Sequence, residues 1–251
     1  MQYTLKKSLG QHFLKDENIS HKIIAALIKH PFKNLLEIGP GGGALTKFLL
    51  QLDNIEFKAI ELDQEKIEYL LLTYPQLKEK LIHKDFLKAD PAFEDGFAVV
   101  GNFPYNISSQ ILFKILEWKE QVPLVIGMFQ KEVAQRIASK PNSKIYGILS
   151  VLVQAFYNVE YLFDVSPSSF NPPPKVMSAV IELTIKKDHP QMRTEKDFFI
   201  LVKAGFNQRR KKLRNAVRDL FNEDILLDEI FDKRAEQLGI NDFAMLTFKM
   251  K

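Results

Sequence analysis

The sequence contains no cysteine, and this absence excludes two classes of protein. It excludes a small secreted domain held together by disulfides, and it excludes any site that uses a thiolate as nucleophile or metal ligand. No apolar run approaches the ~18 residues that a membrane-spanning helix needs. Residues 1–7 lack the apolar core of a signal peptide. We therefore expect a cytoplasmic protein that does not contact membranes.

Positive charge is concentrated towards the end of this 251-residue chain, whose composition is typical of globular proteins. Residues 1–185 carry 20 basic and 20 acidic side chains, whereas residues 186–251 carry 15 basic and 11 acidic ones. Six basic residues between Arg209 and Arg218 have no acidic residue among them. Such a cluster indicates either a phosphate-binding surface or an ordinary solvated helix face.

Short apolar runs typical of buried strands alternate with amphipathic helical patterns as far as residue 150. This alternation predicts βαβ units and a parallel sheet, the α/β class. The next two apolar runs, 151–165 and 176–185, leave little room for another crossover helix. We predict that they are strands and that they close the sheet with an antiparallel edge.

A charged link with a proline at 186–191 predicts a domain boundary. We assign residues 1–187 to the sheet domain and residues 188–251, which carry no strand signal, to a small all-helical C-terminal domain. Residues 1–17 have no strong secondary-structure signal. We expect them to form a mobile arm that becomes ordered over the ligand site.

A glycine-rich turn follows the first predicted strand, in the pattern Glu37-x-Gly39-x-Gly41-x-Gly43. Glycines let the backbone turn tightly and approach a ligand closely, as in nucleotide-binding folds. The spacing differs from the dinucleotide fingerprint G-x-G-x-x-G, and an acidic residue precedes it. A diphosphate would be repelled by Glu37, whereas a cationic amino acid or a sulfonium group would tolerate it.

The next two predicted strands also end in acidic residues, Glu61 and Asp85. An acid ~20 residues after the glycine turn can accept hydrogen bonds from ribose hydroxyls. Asp85 can accept from the amine of adenine, with Leu62 and Phe86 as apolar cover. Each signal alone would indicate a tight connection or a solvated strand end. Together they indicate S-adenosylmethionine rather than NAD as the ligand, with no metal.

Asn102-Phe103-Pro104-Tyr105 stands at the carboxyl end of a strand predicted at 97–101. An adenine amino nitrogen is a poor nucleophile, because its lone pair is delocalised into the ring. The side-chain oxygen of Asn102 and the carbonyl of Pro104 or Phe103 can hold its N–H groups, and Tyr105 can stack on the base. Alone, this tetrapeptide is more typical of a strand-ending turn with a packing tyrosine.

The order of the motifs along the chain resembles one known family, the ribosomal RNA adenine N6-dimethyltransferases, and most closely its small-subunit members. The resemblance covers nearly the whole chain and rests on Lys7-Ser8-Leu9-Gly10-Gln11-His12-Phe13-Leu14, Leu36-Glu37-Ile38-Gly39-Pro40-Gly41, Ile60-Glu61-Leu62-Asp63, Asp85-Phe86-Leu87, Asn102-Phe103-Pro104-Tyr105-Asn106-Ile107-Ser108, Tyr146-Gly147-Ile148-Leu149-Ser150, Phe170-Asn171-Pro172-Pro173-Pro174-Lys175-Val176 and Asn207-Gln208-Arg209-Arg210-Lys211. Phe103 stands where the family usually has leucine, and we expect only altered packing from this difference.

The resemblance implies a Rossmann-like methyltransferase fold and N6,N6-dimethylation of two adjacent adenosines. The target is the 3′-terminal hairpin loop of 16S rRNA in a small-subunit assembly intermediate, and the enzyme is expected to act as a monomer. Asn102, Pro104 and Tyr105 would hold the target adenine. Phe170 would close the far face of the base, unless it is a core residue before a rigid proline run. The implied donor pocket is Gln11, His12, Leu14, Gly39, Glu61, Asp85 and Asn102.

The basic cluster is predicted to lie on a helix that packs through Phe206, Leu213, Val217 and Leu220. Lys211, Arg214 and Arg218 then share the opposite face. With the family resemblance, we expect this face to contact RNA phosphates together with the neighbouring basic residues, Arg209 and Arg210.

Two other functions remain open from the sequence. The related 23S rRNA adenine methylases that confer macrolide resistance share the donor and Asn-x-Pro-Tyr motifs. Tyr146-Gly147-Ile148-Leu149-Ser150 and the Pro-Pro-Pro-Lys-Val block favour the small-subunit enzyme. A mainly non-catalytic ribosome-assembly factor could also keep this fold, although the intact acidic and amide residues argue against a loss of activity.

Overall fold

The computed structural model describes residues 12–251, which form two compact units. The sheet unit contains the chain up to Ala134 together with Glu160–Ile185. The helical unit contains Gln135–Val159 and Lys186–Lys251. We predicted one boundary, between residues 187 and 188. The structure divides the chain near that point and also assigns Gln135–Val159 to the helical unit, which the sequence pattern did not reveal.

The helices and strands follow one another as the alternating pattern predicts. In chain order they are β1 (Phe13–Leu14), α1 (Glu17–Leu27), β2 (Asn34–Ile38), α2 (Thr46–Leu49), β3 (Glu56–Glu61), α3 (Gln64–Thr73), β4 (Leu81–His83), β5 (Phe97–Asn102), α4 (Ser108–Glu117), β6 (Leu124–Gln130), α5 (Lys131–Ile137), α6 (Ile148–Phe156), β7 (Tyr157–Val165), β8 (Phe170–Asn171), β9 (Ser178–Ile185), α7 (Glu195–Asn207), α8 (Leu213–Ala216) and α9 (Ile240–Thr247). Single 3₁₀ turns lie at Pro75–Leu77, Phe86–Lys88, Pro167–Ser169, Arg218–Leu220, Ile225–Leu227, Glu229–Asp232 and Ala235–Gln237.

Among the described residues, the main sheet has seven strands in the order β4-β3-β2-β5-β6-β9-β7. The strands from β4 to β6 are parallel, and β9 runs antiparallel to β6. The central strands are covered on both faces, so they read as nearly continuous apolar runs; every residue of Phe97–Gly101 is buried. The predicted Rossmann-like α/β class with an antiparallel edge is confirmed.

The predicted strand at 151–165 is wrong in its first half. Residues Ile148–Phe156 form the helix α6, and the strand β7 begins only at Tyr157. Nearly all side chains of α6 are buried. A helix that is buried on all sides has the same unbroken apolar pattern as a buried strand, and periodicity alone does not separate the two.

The predicted continuous helix through the basic cluster is also wrong. The helix α7 ends at Asn207, because Gln208 leaves helical geometry with φ −120° and ψ 55°. The chain then folds back, so that Leu213 is fully buried and its Cδ1 lies 3.1 Å from the position of a Cβ added to Gly205. An uninterrupted helix would hold these two residues about 12 Å apart along its axis.

The start of the described chain is held against the sheet unit. Residues 1–11, which include most of the predicted arm, lie outside the described residues. The strand β1 pairs antiparallel with β8, with Leu14 opposite Phe170. Asp16 caps α1 by accepting from the N–H of Asn18 at 3.1 Å, and Ser169 donates to the same carboxylate at 3.0 Å.

Phe103 is fully buried, and two glycines make room for it. Gly101 and Gly127 are register partners on the adjacent strands β5 and β6. A Cβ added to either one would lie within 2.7 Å of the Phe103 ring. The ring also packs edge-on against Phe129, with 5.1 Å between the centroids. The aromatic residue in this tetrapeptide therefore fills the space above a glycine pair.

Gly127→Ala should destabilise the sheet unit by about 1–3 kcal/mol, because its methyl group would overlap the rings of Phe103 and Phe129. The matched control is Gly96→Ala, whose added Cβ would meet nothing closer than 3.6 Å. Urea denaturation of both variants measures the difference in the free energy of unfolding. Equal stability of the two variants would contradict this packing.

Candidate functional site

A cavity of about 220 Å³ opens at the carboxyl ends of the parallel strands of the sheet unit. Most of the residues that the sequence predicted for donor and adenine binding line this cavity. They are His12, Leu14, Gly39, Gly41, Glu61, Leu62, Asp85, Phe86, Asn102, Pro104 and Tyr105. Gln11 lies outside the described residues. Phe13 and Glu37 also line the cavity, and Phe13 was not among the residues that we predicted for the site.

Phe170 does not take the position that we predicted. Its side chain is 1% exposed and belongs to the apolar core of the sheet unit, with Leu14, Val165 and Val180. It does not line the cavity. The alternative that we left open, a core phenylalanine before a proline run, describes this structure.

The glycine turn after β2 lies directly under an aromatic ring. Gly41 has φ +55°, a backbone conformation that residues other than glycine rarely adopt. A Cβ added to it would lie 2.8 Å from the Phe13 ring. The ammonium group of Lys66 lies 4.9 Å from the centroid of the same ring. The Gly10-Gln11-His12-Phe13-Leu14 motif was the sequence signal that could have placed Phe13 here.

Glu61 joins the glycine turn to the end of β3. One carboxylate oxygen accepts from the N–H of Gly41 at 3.2 Å, and the other accepts from Leu62 at 2.8 Å and Asp63 at 3.0 Å. An ionised carboxylate offers about four acceptor positions. Three are therefore used within the protein, and one remains for a hydroxyl donor in the cavity.

Glu37 is the most deeply buried acid of the site, at 2% exposure. The hydroxyl of Thr46 donates to its carboxyl group at 2.7 Å. Burial raises the pKa of Glu37 to about 8, and the nearby charge of Glu61 adds to this increase. A cationic group in the cavity would favour the ionised form of Glu37, which is the preference that we inferred from the sequence.

Asp85 follows β4 and has one oxygen available to the cavity. Its Oδ1 accepts from the N–H of Leu87 at 3.0 Å and thereby caps a 3₁₀ turn. Leu62 is 51% exposed at the cavity, whereas Phe86 is 6% exposed and packs edge-on against Trp118. The cavity thus combines a carboxylate acceptor with apolar cover from these two side chains.

The amide of Asn102 is oriented by the backbone of His12. Its Nδ2 donates to the carbonyl of His12 at 3.0 Å. Because the NH₂ end is held by a carbonyl, the Oδ1 end is left as an acceptor, and no described residue donates to it. The next carbonyls of the tetrapeptide belong to Phe103 and to Pro104, and the latter already accepts from the N–H of Ile107 at 3.2 Å.

Tyr105 is anchored through its hydroxyl and keeps part of its ring in the cavity. The hydroxyl is hydrogen-bonded to Ser178, at the start of β9. Burial raises the pKa of Tyr105, so the phenol stays neutral. The His12 ring lies 5.5 Å from the Tyr105 ring, and its Nδ1 lies 2.9 Å from the carbonyl oxygen of Pro172. The residues from 170 to 178 therefore support this side of the cavity.

The six basic residues of the cluster between Arg209 and Arg218 fall into two groups. Three of them form ion pairs within the unit: Arg209 with Glu236 at 2.8 Å, and Lys212 and Arg214 with Asp232 at 2.6 and 2.9 Å. Arg210, Lys211 and Arg218 are exposed, and no described acidic side chain pairs with them. The sequence predicted one basic face, whereas within this cluster only these three side chains have no described acidic partner.

The described residues contain neither a metal-binding cluster nor a membrane-spanning helix. Within residues 12–251, no three histidine, aspartate or glutamate side chains come together in a way that could hold a metal ion. None of the helices in the same range is long and apolar enough to cross a bilayer.

The sequence profile of the ribosomal RNA adenine dimethylases matches residues 2–244. The chain belongs to this family. The resemblance inferred from the motifs is confirmed, and the protein is an rRNA adenine dimethyltransferase. Two proteins named ribosomal RNA small subunit methyltransferase A are similar over nearly their full length. The one from Cytophaga hutchinsonii is 54% identical over 96% of this chain and 95% of its own, and the one from Flavobacterium johnsoniae is 53% identical over 98% and 95%.

Solved structures show the same architecture. A dimethyladenosine transferase from Plasmodium falciparum has a TM-score of 0.77 and 28% identity over 92% of this chain and 94% of its own. The 23S rRNA methyltransferase ErmE has a TM-score of 0.66 and 22% identity over 93% of this chain and 99% of its own. The second likeness shows a shared fold and carries no argument about the substrate.

Glu37→Gln should change how the stability of the ligand-free protein depends on pH. The folded state keeps a proton on Glu37 up to a pKa of about 8, whereas the unfolded state loses it near 4.5. Between these values the unfolded state binds fewer protons than the folded state. The wild-type free energy of unfolding should therefore fall, relative to that of the variant, as the pH rises. Urea denaturation from pH 5 to 8 measures the difference.

The matched control for this prediction is Glu79→Gln, which neutralises an exposed carboxyl. Its stability should follow the wild-type curve. If Glu37→Gln also ran parallel to wild type over this interval, the raised pKa of the buried carboxyl would be refuted.

Proposed function

We propose that the protein transfers methyl groups from S-adenosylmethionine to the N6 atoms of two adjacent adenosines in the 3′-terminal hairpin loop of 16S rRNA. It would act as a cytoplasmic monomer on a small-subunit assembly intermediate. The observation that carries the proposal is the state of the Asn102 side chain at this cavity. Its NH₂ group donates to the His12 carbonyl, and no described residue donates to its Oδ1. The names and identities of the bacterial relatives favour the small subunit over 23S rRNA.

The donor-type residues fit S-adenosylmethionine. When bound, this group supplies a methyl carbon activated by the adjacent sulfonium. Glu37 and the backbone at Gly39 and Gly41 would hold its amino acid end, because a buried carboxyl next to a narrow glycine turn suits a small cationic group. The remaining acceptor position of Glu61 would bind the ribose. Asp85, covered by Leu62 and Phe86, would bind the adenine of the donor.

Asn102, Pro104 and Tyr105 would hold the target adenine. The Oδ1 of Asn102 and a carbonyl of the tetrapeptide would accept hydrogen bonds from the two N–H groups of N6. These bonds favour a more tetrahedral nitrogen, whose lone pair is less delocalised into the ring, as positive charge develops. The Tyr105 ring would stack on the base. The target adenine must first be unstacked, because an enzyme cannot reach the N6 atom of a base that is still stacked in the RNA.

The helical unit would contact RNA phosphates through Arg210, Lys211 and Arg218. Their exposure and their lack of acidic partners support this role. Arg209 and Arg214 were also predicted to bind RNA. Their ion pairs with Glu236 and Asp232 favour a structural role, so they are not included in the phosphate contacts proposed here.

Asn102→Ala should reduce the rate of dimethyladenosine formation at least 100-fold, because it removes the oriented acceptor for N6. Small subunits from an unmodified strain are incubated with S-adenosylmethionine and the protein, and their RNA is digested to nucleosides for mass spectrometry. Wild-type protein should produce dimethyladenosine. Its absence would refute the proposed reaction and leave a binding-only assembly factor.

Asn34→Ala is the matched control for this experiment. The Nδ2 of Asn34 also donates to a backbone carbonyl, that of Gly96 at 3.2 Å, but at the opposite end of the strands. This variant should keep wild-type activity. Full activity of Asn102→Ala would refute the role of Asn102, even if the wild-type enzyme is active.

The triple variant Arg210→Ala, Lys211→Ala and Arg218→Ala should bind small subunits more weakly and with a smaller salt dependence. Each lost phosphate contact reduces the slope of log affinity against log salt concentration by about 0.7–0.9, so three contacts reduce it by about 2.1–2.7. A binding titration from low to high salt measures the slope. The control replaces three exposed lysines of the sheet unit, Lys29, Lys33 and Lys78, by alanine; equal slopes for both triple variants would refute the assignment.

A further inference from the structure

The positive charge of the protein is concentrated in the helical unit. The segment Gln135–Val159 contains Arg136, Lys140 and Lys144 and no acidic residue. It adds these three basic residues to the 15 basic and 11 acidic residues of 186–251, so the helical unit carries 18 basic and 11 acidic side chains. The sheet unit keeps 17 basic and 20 acidic ones. The charge difference between the units is larger than the sequence order suggested.

Two of the added lysines lie on one loop of the helical unit. Lys140 and Lys144 are both exposed on the connection between α5 and α6. No described acidic side chain pairs with either of them. The loop itself is fixed, because the N–H of Asn142 donates to the carbonyl of Glu236 at 2.8 Å. The backbone that carries these two lysines is therefore fixed, and their charges are not paired with any described acidic side chain.

Arg209 connects this loop to the basic segment after α7. Its Nε donates to the carboxylate of Glu236 at 2.8 Å, and its Nη2 donates to the carbonyls of Lys144 and Ser143. The guanidinium thus bridges the loop and the chain near Glu236, and it compensates the charge of that carboxylate. The residues that follow Arg209 in the sequence are the exposed Arg210 and Lys211. The Arg209 side chain therefore joins the loop directly to the basic segment, Arg209–Lys211.

We propose that Lys140 and Lys144 form, together with Arg210 and Lys211, one composite basic surface that binds the phosphate backbone of the substrate RNA. In this surface Arg209 is a positioning residue. It holds the loop beside the basic segment through hydrogen bonds that a planar, five-donor group can make at once. The proposal rests on the proposed function, since it names a further surface for the same RNA. Backbone contacts position a protein on RNA without reading its sequence.

The first test compares binding of purified small subunits by the full-length protein and by Lys140→Ala/Lys144→Ala. Loss of two phosphate contacts should make the slope of log affinity against log salt shallower by about 1.4–1.8, and should reduce affinity about 25- to 60-fold near 0.1 M salt. Lys29→Ala/Lys78→Ala removes the same charge from exposed positions of the sheet unit and should bind like wild type. Thermal unfolding of both variants confirms that they are folded.

The second test separates positioning from direct contact at Arg209. Arg209→Lys keeps the charge but loses the fork that reaches Glu236 and the loop carbonyls together. If Arg209 positions the loop, this variant should bind more weakly than wild type and should cause no additional loss in the Lys140→Ala/Lys144→Ala background. If a lysine at 209 restores wild-type binding, while alanine does not, Arg209 contacts phosphate directly and the positioning role is overturned.

The outcomes for the surface and for the reaction are distinguishable. Wild-type slopes and affinities in Lys140→Ala/Lys144→Ala would overturn the composite basic surface, whether or not the enzyme forms dimethyladenosine. A reduction shared equally by the Lys29→Ala/Lys78→Ala control would also overturn it, because the effect would then be one of net charge. Binding that depends on Lys140 and Lys144 without any methylation would support the surface and refute the proposed reaction.

Discussion

The candidate site depends on a buried carboxylate that bonds to the backbone of two adjacent strand ends. Glu61 accepts from the N–H of Gly41 in the turn after β2 and from Leu62 and Asp63 at the end of β3. A charge-assisted bond of this kind is stronger than a neutral one, and it fixes the turn without a side chain that would block the cavity. In this turn Gly41 lies against the Phe13 ring, and the two residues form one wall of the cavity.

The second constraint is parallel register. Because the strands from β4 to β6 run the same way, their carboxyl ends bring an acceptor amide and several carboxyl groups to one edge of the sheet. The amide of Asn102 is then turned by the His12 carbonyl, so its orientation does not depend on the substrate. The sheet unit has more acidic than basic residues, and the helical unit has the reverse. This difference fits the proposed roles, in which the helical unit attracts the RNA polyanion and the sheet unit carries out the chemistry.

Much of this arrangement could be predicted from local patterns. The alternation of strands and helices predicted the sheet, and polar residues after apolar runs predicted the cavity-lining side chains, because both depend on short stretches of chain. Features that depend on distant residues were missed. Because α6 is buried on nearly all sides, its apolar pattern predicted a strand. The contact of Leu213 with Gly205 requires the chain to fold back where periodicity predicted a continuous helix. Likewise, the space above Gly101 and Gly127 explains Phe103, and Gly127 lies on a different strand, β6, far from Phe103 in the sequence.

The most direct measurement of the central claim is to locate the transferred methyl groups. Unmodified small and large ribosomal subunits are mixed with the protein and S-adenosylmethionine labelled on its methyl group, and the RNA fragments are sequenced by tandem mass spectrometry. We expect label on two adjacent adenosines, each dimethylated, in the 3′-terminal hairpin loop of 16S rRNA. Label on 23S rRNA, or on adenosines elsewhere in 16S rRNA, would contradict it.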